Sequence, residues 1–315
     1  MKKSLKFVLI VFVYSLLTIV TSAIMPYSQA FKTASAESDP MSAVFVLVSG
    51  VLFCFAICFI AANANWRGAK RIIGIIFTVF MIASFMTQIE TWFFGKVFPL
   101  LTLLDILYIT LTPLPPIVAA TVLGVKFFGL GGPPEEYTSI PVAPIIWRVA
   151  ALGIIYTAVY FIFGYFVAWQ FTELRLFYSG SAEKTGFIGQ LMNNVNNNPV
   201  IYPFQVMRGI MFAAFILPLV YMLRKHKGKF IISVWLVYFT TAVVLIIPNI
   251  LFPDAVRWAH FYEMATSMSL FGIIAGLILY TPTARARAGA NTSSGKAYRR
   301  RRGRKREHRH GRGRR

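Results

Sequence analysis

Eight apolar runs, each long enough to cross a lipid bilayer, recur along this 315-residue chain at roughly 7–25, 43–62, 72–94, 98–123, 145–170, 201–221, 230–252 and 262–280. A hydrocarbon layer of about 30 Å takes about 20 helical residues at about 1.5 Å each. Barrel strands would be about ten residues long and would alternate apolar with polar, and these runs do neither. Over such a length in lipid, only a helix satisfies its own backbone. The predicted fold is therefore all-α, a polytopic membrane protein of about eight transmembrane helices over 1–281, followed by a basic tail at 282–315. Composition agrees, with 57% hydrophobic and only 14% charged residues, where a soluble domain carries about 25% charged.

Charge sets the orientation. The chain has 32 Lys and Arg against 11 Asp and Glu, a net +21. Cytoplasmic loops carry the Lys/Arg excess. An inside N-terminus puts Lys2, Lys3, Lys6, Arg67, Lys70, Arg71, Lys126, Arg148, Arg224, Lys225, Lys227, Lys229 and the tail on the inner face, 26 of the 32 basic residues. Lys32, Lys96, Arg175, Lys184 and Arg257 fall outside. An even number of spans places both termini in the cytoplasm, as expected for a bacterial-type plasma membrane. The alternative for the first run is a cleaved signal peptide, with Lys2-Lys3 ahead of it and Ala34-Ser35-Ala36 after it. However, a signal core is about 7–15 residues long, this run is longer, and the Ala-x-Ala lies well past its end.

Two connections stand out. The Gly/Pro-rich stretch 129–144 reads as a seam between two four-helix halves. The stretch 171–199, with its asparagine run at 193–198, is the longest external connection. It reads as a flexible connector, with a lid over an outward cavity as the alternative.

Several chemistries are excluded. Cys54 and Cys58 lie four apart on one helical face and read as small core residues, not as a disulfide framework or metal pair. Of the four histidines only His260 is near a span, so zinc and bis-histidine haem sites are out and no cofactor is expected. Asp105 is the only aspartate inside a span, which removes an aspartyl pair. No G-x-S-x-G elbow occurs, and the last span lacks a lysine for a retinal Schiff base.

The ionisable residues inside spans are the functional candidates. If Asn198 caps the sixth helix, Arg208 lies ten residues in, on the order of 15 Å along the axis. If Asp254 caps the eighth, Glu263 lies nine residues in, about 14 Å. Matching depth predicts that Arg208 and Glu263 pair. Glu90, Asp105 and His260 sit a little shallower on the same side. Polar residues share single helix faces: Tyr202, Gln205 and Arg208; Arg257, His260, Glu263 and Ser267; Asp105, Tyr108 and Thr112. Thr241 and Asn249 join them from the outer end of the seventh helix. The expectation is one outward-facing pocket built from Arg208, Glu263, His260, Glu90, Asp105, Gln205 and Asn249. The competing reading is that these charges only pair helices with one another. Three carboxylates against one arginine leave an acid whose burial favours a proton or a cationic ligand. Pro113, Pro115 and Pro116 break the fourth helix and free backbone groups near mid-membrane.

The tail carries Arg299, Arg300, Arg301, Arg302, Arg304, Lys305 and Arg306 in one run. Such a segment is expected to be disordered and attracted to anionic phospholipid headgroups, with RNA or the ribosome as the alternative partner. Transport or binding of a small molecule, with proton coupling, is the expected function. A membrane enzyme acting on a lipid-linked or external substrate, using Glu263 or His260 as base, is the second reading. A membrane interaction protein acting through its tail is the third.

Overall fold

The computed structural model describes residues 2–35, 41–129 and 140–282. Most of the 129–144 connection and the tail, Arg299 to Arg306 included, lie outside the described residues. Among the described residues there are helices and no strands, and eight helical segments are long and apolar enough to cross a membrane. The chain is an all-α, multi-pass membrane protein.

The first span is α1 (Lys3–Ile24), and a short helix, α2 (Gln29–Ser35), follows it. The second span is α3 (Ser42–Asn63). The third consists of α4 (Gly68–Phe80), a π-helical turn (Met81–Phe85) and α5 (Met86–Phe93). The fourth is broken into α6 (Leu103–Leu111) and α7 (Leu114–Phe128), and the fifth is α8 (Val142–Phe166). Two helices outside the spans follow, α9 (Thr172–Ser179) and α10 (Phe187–Asn197). The sixth span is α11 (Ile201–Phe215) with α12 (Leu217–Met222), the seventh α13 (Lys227–Val243) and the eighth α14 (Asp254–Leu279). Large apolar side chains such as Val8, Phe12, Ile73, Trp147 and Ile154 stay exposed on the outer faces of the spans. Only a lipid environment accommodates that surface without penalty.

Close helix approach is set by small residues, because lipid offers no hydrophobic drive to bring helices together. On α14, a Cβ added at Gly272 would lie 3.0 Å from the Trp235 Cα of α13, and one at Gly276 3.1 Å from the Ile231 Cα. A Cβ on Gly209 of α11 would lie 2.9 Å from the Gly153 Cα of α8 and 2.5 Å from the Tyr156 Cβ. α8 packs on both α11 and α14. Its Tyr156 ring lies 5.1 Å from Phe212 of α11 and 5.2 Å from Phe271 of α14. Cys54 and Cys58 are buried free thiols in the main core, as their spacing implies.

Several boundaries differ from the sequence reading. The sixth helix starts at Ile201, and Asn198 forms a turn before it, its carbonyl accepting from the Ile201 N–H at 3.1 Å. Asp254 does begin the eighth helix, but its carboxylate binds Arg257 Nη2 at 2.7 Å instead of capping. The seventh span ends near Ile246, since Pro248 has no N–H to donate and Arg257 takes the carbonyls of Leu245 and Ile246 at 3.0 and 2.9 Å. Two backbone carbonyls at the break in the fourth span have side-chain partners. Ser84 Oγ donates to the Thr110 carbonyl at 2.6 Å, and Thr21 Oγ1 to the Thr112 carbonyl at 3.1 Å. That break is therefore structural, stitched to the first and third spans.

Candidate functional site

A cavity of about 510 Å³ opens at the end of the bundle formed by the connections 94–102, 171–200 and 247–253. Its walls come from α5, α8 and α14, and the loop after α13 contributes Asn249, Leu251 and Phe252. The stretch 171–199 is not a plain connector. α10 contributes Phe187, Gln190, Leu191 and Asn194 to the lining, and α9 contributes Leu174 and Tyr178.

The local sequence explains why α9 and α10 hold this position. Arg175 is nearly buried and binds the carbonyls of Trp169 at 2.7 Å, Gln170 at 3.1 Å and Ala182 at 2.9 Å. Gly180 ends α9 in the left-handed conformation, with φ of 70°. Leu174 joins Ala168, Val256 and Ala259 in a second small core against α14. Tyr165 Oη donates to the Thr185 carbonyl at 2.7 Å, and Tyr202 Oη to the Leu191 carbonyl at 2.8 Å. These two bonds fix α10 from the fifth and sixth spans.

Of the seven candidate pocket residues, four line the cavity: Glu90, His260, Glu263 and Asn249. Asn249 reaches it from the loop, not from a helix end, with its Oδ1 accepting from the Leu251 N–H at 3.0 Å. Arg208 and Gln205 sit behind the wall, fully buried. Arg208 does not pair with Glu263. Its Nη2 donates to Glu90 Oε2 at 2.8 Å and to the Met86 carbonyl at 3.3 Å, while Nη1 donates to Gln205 Oε1 at 2.9 Å. The depth argument fails because depth does not say which helices are neighbours. α8 stands between α11 and α14 and places the Tyr156 ring 5.7 Å from the guanidinium.

Asp105 is outside the cavity altogether. It closes a capping box with Thr102 at the start of α6, and its Oδ1 accepts from the Ser28 N–H at 2.7 Å. Its stripe-mates serve the same segment, with Tyr27 hydrogen-bonded to Thr112 at 2.7 Å and its ring 6.0 Å from Tyr108. Asp105, Tyr108 and Thr112 thus anchor the connection between the first two spans.

Glu263 has a different partner. His260 Nδ1 lies 3.3 Å from Glu263 Oε2, and His260 Nε2 lies 2.9 Å from the Tyr178 hydroxyl. An ionised carboxylate only accepts, so Nδ1 carries the hydrogen, and a neutral ring then accepts from Tyr178 at Nε2. Burial pushes the Tyr178 phenol well above its usual value, and the carboxylates of Glu90 and Glu263 push it the same way. The phenol therefore stays protonated and donates. The result is a chain of hydroxyl, imidazole and carboxylate along one cavity wall.

No protein-family model matches the chain, nor does any curated protein or solved structure. What the cavity can do follows from its own chemistry. Among the described residues no group of three or more His, Cys, Asp or Glu could hold a metal ion. Ten aromatic rings line the space, including Tyr156, Tyr160, Trp169 and Tyr178. None of these four was a candidate from the sequence. The readable signal was the density of rings in a connection that should be hydrophilic, with Phe171, Phe177 and Tyr178 close together.

Proposed function

We propose that this protein binds a small molecule in the cavity under α9 and α10 and carries it across a bacterial-type plasma membrane, with both termini in the cytoplasm and the cavity facing outward. The observation that carries the reading is the cavity itself. At about 510 Å³ it falls inside the range of about 300–1,000 Å³ typical of ligand sites. It is rich in aromatic rings, with a few polar groups converging on it. The chain from Tyr178 through His260 to Glu263 supplies a group able to take and return a proton beside the ligand, which supports proton coupling. We also place the basic tail on anionic phospholipid headgroups, at about 1 kcal/mol per basic residue near the surface, with RNA as the competing partner.

A second reading has one specific observation behind it. A hydroxyl held by an imidazole that is held by a carboxylate is also the order of an activated nucleophile and its base. Under that reading the protein is an enzyme acting on an external or lipid-linked substrate. Product formation in detergent, without any gradient, would favour it over transport.

The test is a thermal-shift screen of the purified protein against a chemically diverse small-molecule set, with hits repeated on Glu263→Gln. A ligand at 100 times its Kd adds about 2.7 kcal/mol to stability. The expected result is a small group of stabilising compounds that lose their effect in the variant and accumulate in proteoliposomes under a proton gradient. A screen without hits, or hits that stabilise Glu263→Gln equally, would overturn the proposal.

A further inference from the structure

The charge and the walls of this cavity point to a narrower ligand class, and we infer that it takes an organic monocation, an amine or quaternary ammonium on an apolar body. This rests on reading the cavity as a small-molecule site. Among the described residues two carboxylates, Glu90 and Glu263, line it, no lysine or arginine does, and His260 is the one basic side chain on the wall. Arg208 balances one of the two negative charges from behind. Its guanidinium is enclosed by the rings of Tyr156, Phe204 and Phe212 at 5.7, 5.7 and 5.8 Å and does not reach the cavity. Glu263 has no such cation beside it, only His260 Nδ1 at 3.3 Å, so a positive group that enters finds a carboxylate to meet. An anionic ligand would face both carboxylates with only His260 to receive it.

The rings around Glu263 favour the same sign. Phe252 and Tyr178 lie 5.1 and 5.6 Å from the His260 ring, and Phe94 lies 6.2 Å from Tyr178. Aromatic faces attract cations through their quadrupole, the more strongly where water is excluded. Gln88 adds a neutral acceptor, because its Oε1 is buried at this wall without a hydrogen-bond partner. The N–H of a protonated amine satisfies it and an anion does not; a quaternary ammonium has no N–H and relies on the carboxylate and the rings. A space of about 510 Å³ accommodates an organic molecule. The positive end belongs beside Glu263, and the apolar body against the rings of α8 and the loop after α13.

The experiment is isothermal titration of the full chain in lipid nanodiscs with benzyltrimethylammonium and 2-phenylethylammonium. The comparison compounds are 2-phenylethanol and 3-phenylpropanoate, similar in size and different in charge. The expected result is saturable binding of both cations, with the alcohol weaker by about tenfold or more, one charge contact being worth about 1.4 kcal/mol, and no binding of the carboxylate. Glu263→Gln should weaken the cations by about tenfold and leave the alcohol unchanged. Phe252→Leu, which removes a ring without altering charge, should weaken the cations severalfold and remains informative if the first variant does not fold. Binding of the alcohol or the carboxylate as tightly as the cations overturns the charge class and leaves the small-molecule site standing. Cation affinity untouched in both variants overturns the placement beside Glu263. Silence from all four compounds overturns the organic-cation ligand class, and the thermal-shift screen then decides separately whether the small-molecule site stands.

Discussion

Arg208 on α11 donates to Glu90 on α5 at 2.8 Å, and the two ends of that bond sit in unlike surroundings: the guanidinium is 1% exposed and the carboxylate 28%. The asymmetry makes the two single deletions unequal. Glu90→Gln leaves a buried cation with neutral acceptors only, Gln205 Oε1 at 2.9 Å and the Met86 carbonyl at 3.3 Å. An unpaired buried charge costs about 3–5 kcal/mol. Arg208→Met leaves a carboxylate at the cavity wall, where water reaches it, and should cost clearly less. The double variant should be more stable than Glu90→Gln alone. Equilibrium unfolding in mixed detergent micelles measures all three, and equal losses for the two single variants would contradict this account of the pair.

Asp105 separates structure from site. Asp105→Asn weakens the capping box on α6 and the bond from the Ser28 N–H, so stability should fall by about 1–2 kcal/mol. Ligand binding should be unchanged, because Asp105 does not line the cavity. A shift in cavity-ligand affinity in a folded Asp105→Asn protein would mean that the two polar clusters are coupled.

Tyr178 ties α9 to the eighth span through His260 Nε2 at 2.9 Å. Tyr178→Phe keeps the ring and removes that bond, a loss of about 1 kcal/mol. Hydrogen exchange should accelerate across 172–179, while the core of α13 and α14 stays protected. Unchanged exchange in α9 would show that Arg175 and Leu174 alone hold it in place.

Gly209 allows α11 to meet α8. Gly209→Ala would put a methyl 2.5 Å from the Tyr156 Cβ, and overpacking of this kind costs about 1–3 kcal/mol. The helix contact that sets the register of Arg208 should loosen. A thermal melt that does not move would mean the two helices separate without penalty.

The spans were legible in the sequence because a lipid-facing helix has to be apolar along its whole length, and no tertiary contact can override that requirement. The candidate site was only partly legible. Glu263, His260 and Glu90 were legible because an ionisable group within a span is costly wherever it points, whereas Asn249 reaches the cavity from the loop after the seventh span and not from the helix end the sequence suggested. The Arg208 partner was misread because helix rise gives depth and says nothing of the lateral order in which α8 separates α11 from α14. Asp105 was assigned to the pocket although Thr102, three residues before it, carried the capping signal that explains it. Tyr178 and α10 were missed because the asparagine run and the lack of a span-length apolar run read as a connector, although Leu174, Phe177 and Tyr178 recur at i, i+3, i+4 and Phe187, Leu191 and Val195 at i, i+4, i+8. The bonds from Arg175, Tyr165 and Tyr202 to backbone carbonyls that hold these helices leave no trace in hydropathy.

The most direct test of the outward-facing ligand cavity is thiol labelling in intact cells. Thr91 lines the cavity, and Lys227 begins α13 at the opposite end of the bundle. The native thiols of Cys54 and Cys58 are buried, so they should contribute little background. A membrane-impermeant maleimide should label Thr91→Cys in intact cells, more slowly with benzyltrimethylammonium present, and should label Lys227→Cys only after permeabilisation. Thr91→Cys that reacts only after permeabilisation, or at a rate the cation does not alter, would contradict the account.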